Sequence, residues 1–248
     1  PDVRILAEPV GGPTTLAFQE LLQGSETRIL YGLTERAGDD LCIAATLVGR
    51  EGVLANYHKT HLWWDAVGLR DEAALYRPGE ALVTFDIKGF KSGVMICYDG
   101  DFPEMARSYA NLGCELLFWM NNRESRGYAE VKHLALNNSL IMAVSCCCGL
   151  DEVGRECPGG SNIVNYDGAL LAEVWDREGI IYAEVEPERV AAHRRANPWF
   201  TGQRGDLYVY ANADATGVHD PDKPPYADGN RGYGGDESGA RAKRGYGV

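Results

Sequence analysis

The stretch from 93 to 120 constrains the fold of this chain more than any other part of its sequence. Residues 93–97 form an apolar run with the length of a buried strand, and a turn rich in Gly and Asp follows it. Residues 103–112 then carry apolar side chains at helical spacing, with Pro103 at the start and Gly113 just after the end. A second apolar run follows at 114–120. This order predicts a β-α-β unit within a larger mixed sheet.

The rest of the chain up to 210 mixes short strands with a few helices. Further strands are predicted where apolar or alternating runs lie between turn residues, at 3–7, 28–32, 42–48, 53–57, 82–87, 140–147, 160–164, 169–174 and 179–185. Further helices are predicted at 15–22, 128–139 and 187–196. No boundary interrupts this pattern, so residues 1–210 are predicted to form one α/β domain. Residues 211–248 are rich in Gly, Pro and charge, which is typical of an arm or tail.

The charge and the cysteines of the chain argue against several classes of protein. Its 248 residues carry 36 acidic and 24 basic side chains, a formal charge of −12, whereas nucleic acids and anionic membranes attract Lys and Arg. The seven cysteines, three of them in a row at 146–148, do not resemble a secreted disulfide framework and include no Cys-x-x-Cys pair for structural zinc. We therefore expect a cytoplasmic protein without a metal or other cofactor, and with neither nucleic acid nor membrane as a partner.

Cys97 is the first candidate for chemistry, because it ends one apolar run and precedes the turn into the 103–112 helix. A side chain at a strand-to-helix turn projects from the edge of a sheet, near a helix N-terminus that favours a thiolate. The alternative is a buried packing residue, as most cysteines outside disulfides are. The other six cysteines lack this context, and we expect them to pack in the core.

Lys59 is the second candidate, since it directly follows the 53–57 run among aromatic and apolar residues. A cation held inside a pocket there would stabilise a developing oxyanion, whereas the alternative is a solvated lysine. The neighbouring His58 and His61 have no further ligand at a suitable spacing, so a metal site is not predicted.

Two carboxylates complete the set of candidates. Glu8 ends the 3–7 run, where a carboxylate is uncommon unless it lies at a sheet edge or has a function. Glu72 lies in a charged loop, six residues before Pro78. Considered alone, each is typical of a surface side chain.

Taken in order, four separated segments resemble the nitrilase superfamily of carbon–nitrogen hydrolases, whose mark is a Glu–Lys–Cys triad. Glu8 resembles the first Glu of the family, and Tyr-His-Lys-Thr-His-Leu at 57–62 resembles its lysine motif. Glu72 before Pro-Gly resembles a second Glu that several amidases carry, and Cys-Tyr-Asp-Gly-Asp-Phe-Pro-Glu at 97–104 resembles the nucleophile motif of amidases. With smaller matches at 159–168 and 204–208, the similarity covers about 1–210.

The chain departs from the family around its first carboxylate. The family has a strand and a long helix before its first Glu, and we expect both to be missing here, where the sequence begins at Pro1. Proline usually precedes that Glu, whereas Ala7 precedes Glu8 and Pro9 follows it. Glu8 therefore matches the family less closely than Lys59 does.

The resemblance implies a four-layer α-β-β-α sandwich that assembles into homodimers or higher even homo-oligomers. It also implies an amidase that cleaves a small amide to carboxylate and ammonia. Cys97 would form a thioester, Glu8 would move protons, Lys59 would bind the oxyanion and Glu72 would orient Lys59 or the substrate.

The substrate is predicted less closely than the reaction. Five side chains are expected to line the pocket: Tyr98, Trp119, Asn121, Asn122 and Trp63. Arg123 and Arg126 would clamp a substrate carboxylate or form a solvated basic loop. The Cys-Tyr-Asp sequence favours an amide; an N-carbamoyl compound and a nitrile are the alternatives within the class. A catalytically inactive binding module on the same fold, and a zinc or redox protein using the cysteines, are the alternatives outside it.

Overall fold

Two β-sheets with helices on their outer faces make up the computed structural model, which describes residues 2–64, 71–122, 128–150, 154, 156–197 and 202–203. The helices are α1 Val3–Leu6, α2 Pro13–Leu21, α3 Pro103–Asn111, α4 Tyr128–Asn138 and α5 Glu188–Ala196. The strands are β1 Ile29–Ala37, β2 Asp40–Gly49, β3 Gly52–His58, β4 Thr84–Ile87, β5 Phe90–Ile96, β6 Leu116–Asn121, β7 Ile141–Cys146, β8 Cys148–Leu150, β9 Glu156–Val164 and β10 Leu170–Trp175. Short 3-10 turns lie at Glu72–Ala74 and Cys97–Asp101.

The strands of the described residues form one three-stranded and one seven-stranded sheet. The smaller sheet is antiparallel, with the order β1-β2-β3, and the larger has the order β10-β9-β7-β6-β5-β4, with β8 beside β9. In the larger sheet β5, β6 and β7 run parallel, so that Ile96 pairs with Met120, and Asn121 with Cys146. The carboxyl ends of these strands share one edge, which is where α/β folds commonly place their sites.

Apolar side chains fill the three spaces between the layers. The α2 helix packs on the smaller sheet through Phe18 and Leu22. Between the sheets, Leu47 of β2 belongs to the same cluster as Val94 of β5. On the far face of the larger sheet, Trp119 lies in a cluster with side chains of α3 and α4. The architecture is therefore the α-β-β-α sandwich that the resemblance implies.

The predicted β-α-β unit is confirmed by β5, α3 and β6. Pro103 takes the first turn of α3, where its missing N–H leaves no hydrogen bond unmade. Gly113 follows the helix with φ +89°, a conformation that glycine adopts without strain. Met105 and Tyr109 are buried on one face of the helix, as the apolar spacing predicts.

Two of the predicted strands are wrong. Residues 3–7 begin with helix α1, because the Asp2 carboxylate accepts the Arg4 N–H at 3.0 Å and caps the first turn. Strand pairing in this region is reduced to a single bridge at Glu8. Residues 179–185 contain no strand. Their alternating pattern is correct for a strand, but they enter no ladder with the described part of the chain.

No helix within the described residues is both long and apolar enough to cross a membrane. The predicted domain boundary at 210 and the 211–248 tail lie outside the described residues, so both stay predictions.

Candidate active site

Cys97 lies where β5 ends and a 3-10 turn begins, at the shared edge of the parallel strands. Its φ is +48°, in the left-handed region that residues other than glycine rarely enter. Such a conformation costs about 1–2 kcal/mol, so contacts around the turn must hold it. The side chain is half-buried. The predicted strand-end nucleophile therefore has a constrained backbone and partial access to solvent.

Trp119 supports this turn from inside the protein. Its Nε1–H donates to the carbonyl oxygen of Cys97 at 3.0 Å, and the side chain is fully buried. Gly100 makes the contact possible, because a Cβ there would lie 2.0 Å from the Trp119 ring. The residue predicted to line the substrate pocket thus lies beneath the nucleophile, within the core.

Asp99 connects the turn to the lysine segment and has no role in the sequence-based prediction. Its carboxylate is fully buried and accepts hydrogen bonds from Tyr57 Oη at 2.8 Å and from Thr60 Oγ1 at 3.0 Å. The available signal was an Asp two positions after the nucleophile, where a short polar side chain can bond to nearby backbone N–H groups.

Lys59 and Glu72 form an ion pair. The Lys59 Nζ lies 2.5 Å from Glu72 Oε2, and the lysine side chain is only 1% exposed. The same oxygen accepts the backbone N–H of Trp63 at 2.7 Å. Lys59 is placed by the end of β3, and Glu72 by a 3-10 turn whose first N–H bonds to the Trp63 carbonyl. The alternative of a solvated lysine is therefore wrong.

Glu8 lies beside β1, where its backbone exchanges hydrogen bonds with Thr34 and Arg36. Its carboxylate accepts the N–H and the hydroxyl of Thr14, both at 2.8 Å. Within the described residues, no hydrogen bond joins this carboxylate to Lys59 or Cys97. The place of Glu8 in a triad stays a prediction.

Aromatic side chains cover the outer side of the nucleophile turn. The Trp63 and Tyr98 rings meet edge to face with centroids 4.9 Å apart, and Tyr98 meets Phe102 at 5.1 Å. His61 stacks on Phe102 at 3.9 Å. Two of the five predicted pocket residues, Trp63 and Tyr98, therefore lie together beside Cys97.

The two asparagines after β6 differ in their surroundings. Asn121 is buried at the site edge of the sheet, and neither atom of its side-chain amide has a hydrogen-bond partner among the described residues. Asn122 is exposed. Arg123 and Arg126 lie outside the described residues.

The remaining cysteines divide between core and surface. Cys42, Cys114 and Cys157 are buried, as predicted. Burial raises the pKa of the Cys114 thiol to about 11. The prediction of a core position is wrong for Cys147, which is exposed and lines a 350 Å³ cavity where β7 ends.

Similarity to known proteins covers most of the chain and not only the site. The model of the carbon-nitrogen hydrolase family matches residues 2–195. Omega-amidase NIT2 of Homo sapiens is 29% identical over 213 residues, which cover 82% of this chain and 77% of that protein. The 2-oxoglutaramate amidase of Bacillus subtilis is 31% identical over 178 residues, covering 70% and 67%. A solved CN-hydrolase superfamily protein of Xanthomonas campestris has a TM-score of 0.72 at 22% identity, covers 82% of this chain and 78% of its own, and so shares the fold.

Proposed function

Because the chain belongs to the carbon–nitrogen hydrolase family, in the amidase-like branch of the nitrilase superfamily, we propose that it cleaves a small carboxamide through a thioester on Cys97. It is a hydrolase of carbon–nitrogen bonds other than peptide bonds. The products proposed are a carboxylate and ammonia.

The observation that carries the proposal is the pairing of the buried Lys59 with the half-buried Glu72, on a segment that bonds to the turn that presents Cys97. Glu72 Oε2 holds both the Lys59 ammonium and the backbone of Trp63, whose ring contacts Tyr98. A fixed cation on a segment bonded to the nucleophile turn suits a reaction in which negative charge develops on a carbonyl oxygen. Amide nitrogen is a poor leaving group, so a covalent intermediate divides one difficult step into two easier ones.

In the proposed reaction, the Cys97 sulfur attacks the amide carbon while Glu8 accepts the thiol proton. Lys59 and the backbone N–H of Tyr98 bind the oxyanion, and Glu8 returns the proton to the departing ammonia. Glu8 then takes a proton from the water that hydrolyses the thioester. The hydrogen bonds from Thr14 occupy one acceptor site on each Glu8 oxygen and leave further lone pairs for this role.

The proposed substrate is an amide with a small acyl group. The names of two relatives, an omega-amidase and a 2-oxoglutaramate amidase, support an amide at the end of a short chain. The adjoining rings of Trp63 and Tyr98, the residue after Cys97, provide an apolar surface suited to a small acyl group. We further propose that the enzyme works in the cytoplasm as a homodimer or higher even homo-oligomer.

The proposal is tested by measuring ammonia release with Cys97→Ala and Cys97→Ser. The substrates are short aliphatic amides, omega-amides of 2-oxo acids, aryl amides, N-carbamoyl acids and nitriles. Both variants are expected to fold and to lose activity by at least about 10³-fold, because no other group supplies the nucleophile. The matched control, Cys147→Ser, removes an exposed thiol and is expected to keep full activity.

Full activity in either Cys97 variant would overturn the covalent mechanism. Carbon dioxide release together with ammonia, from N-carbamoyl acids only, would move the assignment to a carbamoyl amidohydrolase. No turnover of any substrate by the folded protein would instead favour an inactive binding module.

A further inference from the structure

The buried Asp99 carboxylate receives five hydrogen bonds from two parts of the chain. Its Oδ2 accepts the backbone N–H of Ile96 at 2.9 Å and the Tyr57 hydroxyl at 2.8 Å. Its Oδ1 accepts hydrogen bonds from the Thr60 hydroxyl, from the backbone N–H of His61 and from the Nδ1–H of the His61 ring, each at 3.0 Å. Burying a carboxylate is costly unless such donors replace its water, so this arrangement stabilises one specific geometry.

The bond from Ile96 shapes the nucleophile turn. It joins Ile96, the last residue of β5, to Asp99 and so closes a tight turn over Cys97 and Tyr98, in which Cys97 has a φ of +48°. On the other side of the same turn, Trp119 holds the Cys97 carbonyl. The two contacts together keep Cys97 in a conformation that its own backbone disfavours.

The other donors flank Lys59 in sequence. Tyr57 lies two residues before the lysine, and Thr60 and His61 follow it directly. The His61 ring also stacks on Phe102, the residue before helix α3. One carboxylate therefore fixes both the backbone that carries the ammonium and the backbone that carries the thiol.

We propose that Asp99 is a positioning residue that sets the place of the Lys59 ammonium relative to the Cys97 sulfur. The inference rests on the proposed function, since it assigns Asp99 a role in the same reaction. Asp99 touches neither reacting atom; it acts through Ile96 on one side and through the residues flanking Lys59 on the other. Small displacements of reacting groups are expensive in rate, with about 10²-fold lost for a shift of about 1 Å.

Asp99→Asn tests this role with almost no change in shape. The Asn amide has one acceptor oxygen instead of two, so it can accept the Ile96 N–H or the His61 N–H but not both, and one of the two segments must relax while the side-chain volume stays. We expect kcat for amide hydrolysis to fall about 10²-fold while KM changes less than about threefold. A purely structural role would lower Tm but leave the kcat of the folded protein unchanged. The control is Asp86→Asn, whose carboxylate caps the Gly89 N–H in an exposed turn and is expected to change neither constant.

A second measurement separates this inference from the proposed function. Iodoacetamide labelling of Cys97, followed by peptide mass spectrometry, needs no substrate and is expected to slow about tenfold in Asp99→Asn. If the wild-type protein releases no ammonia from any amide, the proposed function fails while this labelling still reports on Asp99.

Tyr57→Phe provides a variant with a milder effect on folding, because it removes only one of the five donors. We expect kcat and the Cys97 labelling rate to fall about threefold to tenfold in it, with KM nearly unchanged. If kcat and labelling in folded Asp99→Asn stay within twofold of the wild type, the inference is overturned. If Asp99→Asn does not fold, unchanged kcat and labelling in Tyr57→Phe overturn it in the same way.

Discussion

Lys59 is the side chain on which the electrostatics of this site depend. Its ammonium is almost fully buried, and within the described part of the chain it pairs with the carboxylate of Glu72. Glu72 is itself partly exposed and also holds the Trp63 backbone. Loss of the Glu72 charge would therefore disturb the ammonium and the aromatic wall together.

Glu72→Gln is expected to lower both stability and activity. Removing one partner of a buried pair leaves an uncompensated charge and typically costs about 3–5 kcal/mol; the partial exposure of Glu72 places the expected loss near the lower end. Misplacing an oxyanion donor should lower kcat about 10²–10³-fold. Urea unfolding and amide hydrolysis measure the two effects. Glu80→Gln, which breaks an exposed pair with Arg77, should cost under about 1 kcal/mol. Equal free energies of unfolding for Glu72→Gln and Glu80→Gln would contradict a stabilising role of the Lys59–Glu72 pair.

The sequence predicts the positions of those site residues whose side-chain chemistry and place after an apolar run identify them. Lys59 and Cys97 are recognisable from their positions after apolar runs, and both lie where those runs predict. Asp99 and Gly100 were missed, because their roles depend on contacts with residues distant in sequence, Tyr57 and Trp119. The local sequence signals a bond from Asp99 to nearby backbone N–H groups, but it does not signal these contacts with distant residues.

At the scale of elements, the unit from β5 to β6 could be predicted from its own local sequence. Strand, turn, helix and strand are each marked by local signals, including Pro103 and Gly113 at the helix ends. The predictions at 3–7 and 179–185 fail because a strand also needs a neighbour with which to form a ladder. An apolar run supplies the side chains for a sheet face but not the partner.

Cys114, which lies between α3 and β6, is expected to make the free energy of unfolding fall at alkaline pH. Burial raises the pKa of this thiol from 9.0 to about 11, so the folded state holds its proton more tightly than the unfolded state does. Its contribution to stability is therefore complete below about pH 9 and is lost as the pH rises towards about 11. The free energy of unfolding of the wild type, measured between pH 8 and pH 11, should fall more steeply than that of Cys114→Ala.

The difference between these two slopes isolates Cys114 from the other groups that titrate in this range. Cys147→Ala, which removes an exposed thiol, should keep the wild-type slope. Identical slopes for wild type and Cys114→Ala would show that the thiol has the same pKa in the folded and unfolded states, which would contradict the prediction.

At the scale of the whole molecule, the site is a product of sheet packing. Lys59 comes from the smaller sheet and Cys97 from the edge of the larger one, so neither sheet alone brings the two motifs together. The shared apolar cluster between the sheets, which includes Leu47 and Val94, sets their separation. The tie from Asp99 to Tyr57 then fixes the two edges against each other.

Residues 211–248 are expected to contribute little to this packing. The segment contains five large apolar or aromatic residues, Val218, Tyr226, Tyr233, Tyr246 and Val248, among many Gly, Pro and charged residues. Such a composition does not bury enough apolar surface to offset the entropy of ordering a chain. A protein ending at residue 210 should therefore keep kcat within about twofold of the full chain, as measured by ammonia release.

Light scattering on the same two proteins tests the predicted assembly. The full chain of 27.1 kDa is expected to give a mass that is an even multiple of this value. If the shortened protein keeps the same number of subunits and the same kcat, the tail has no part in the subunit interface or the site. If it dissociates to monomers and loses activity, the tail holds the subunits together and the site depends on assembly. Association of subunits stabilises the folded state by mass action, so loss of the interface would lower stability as well.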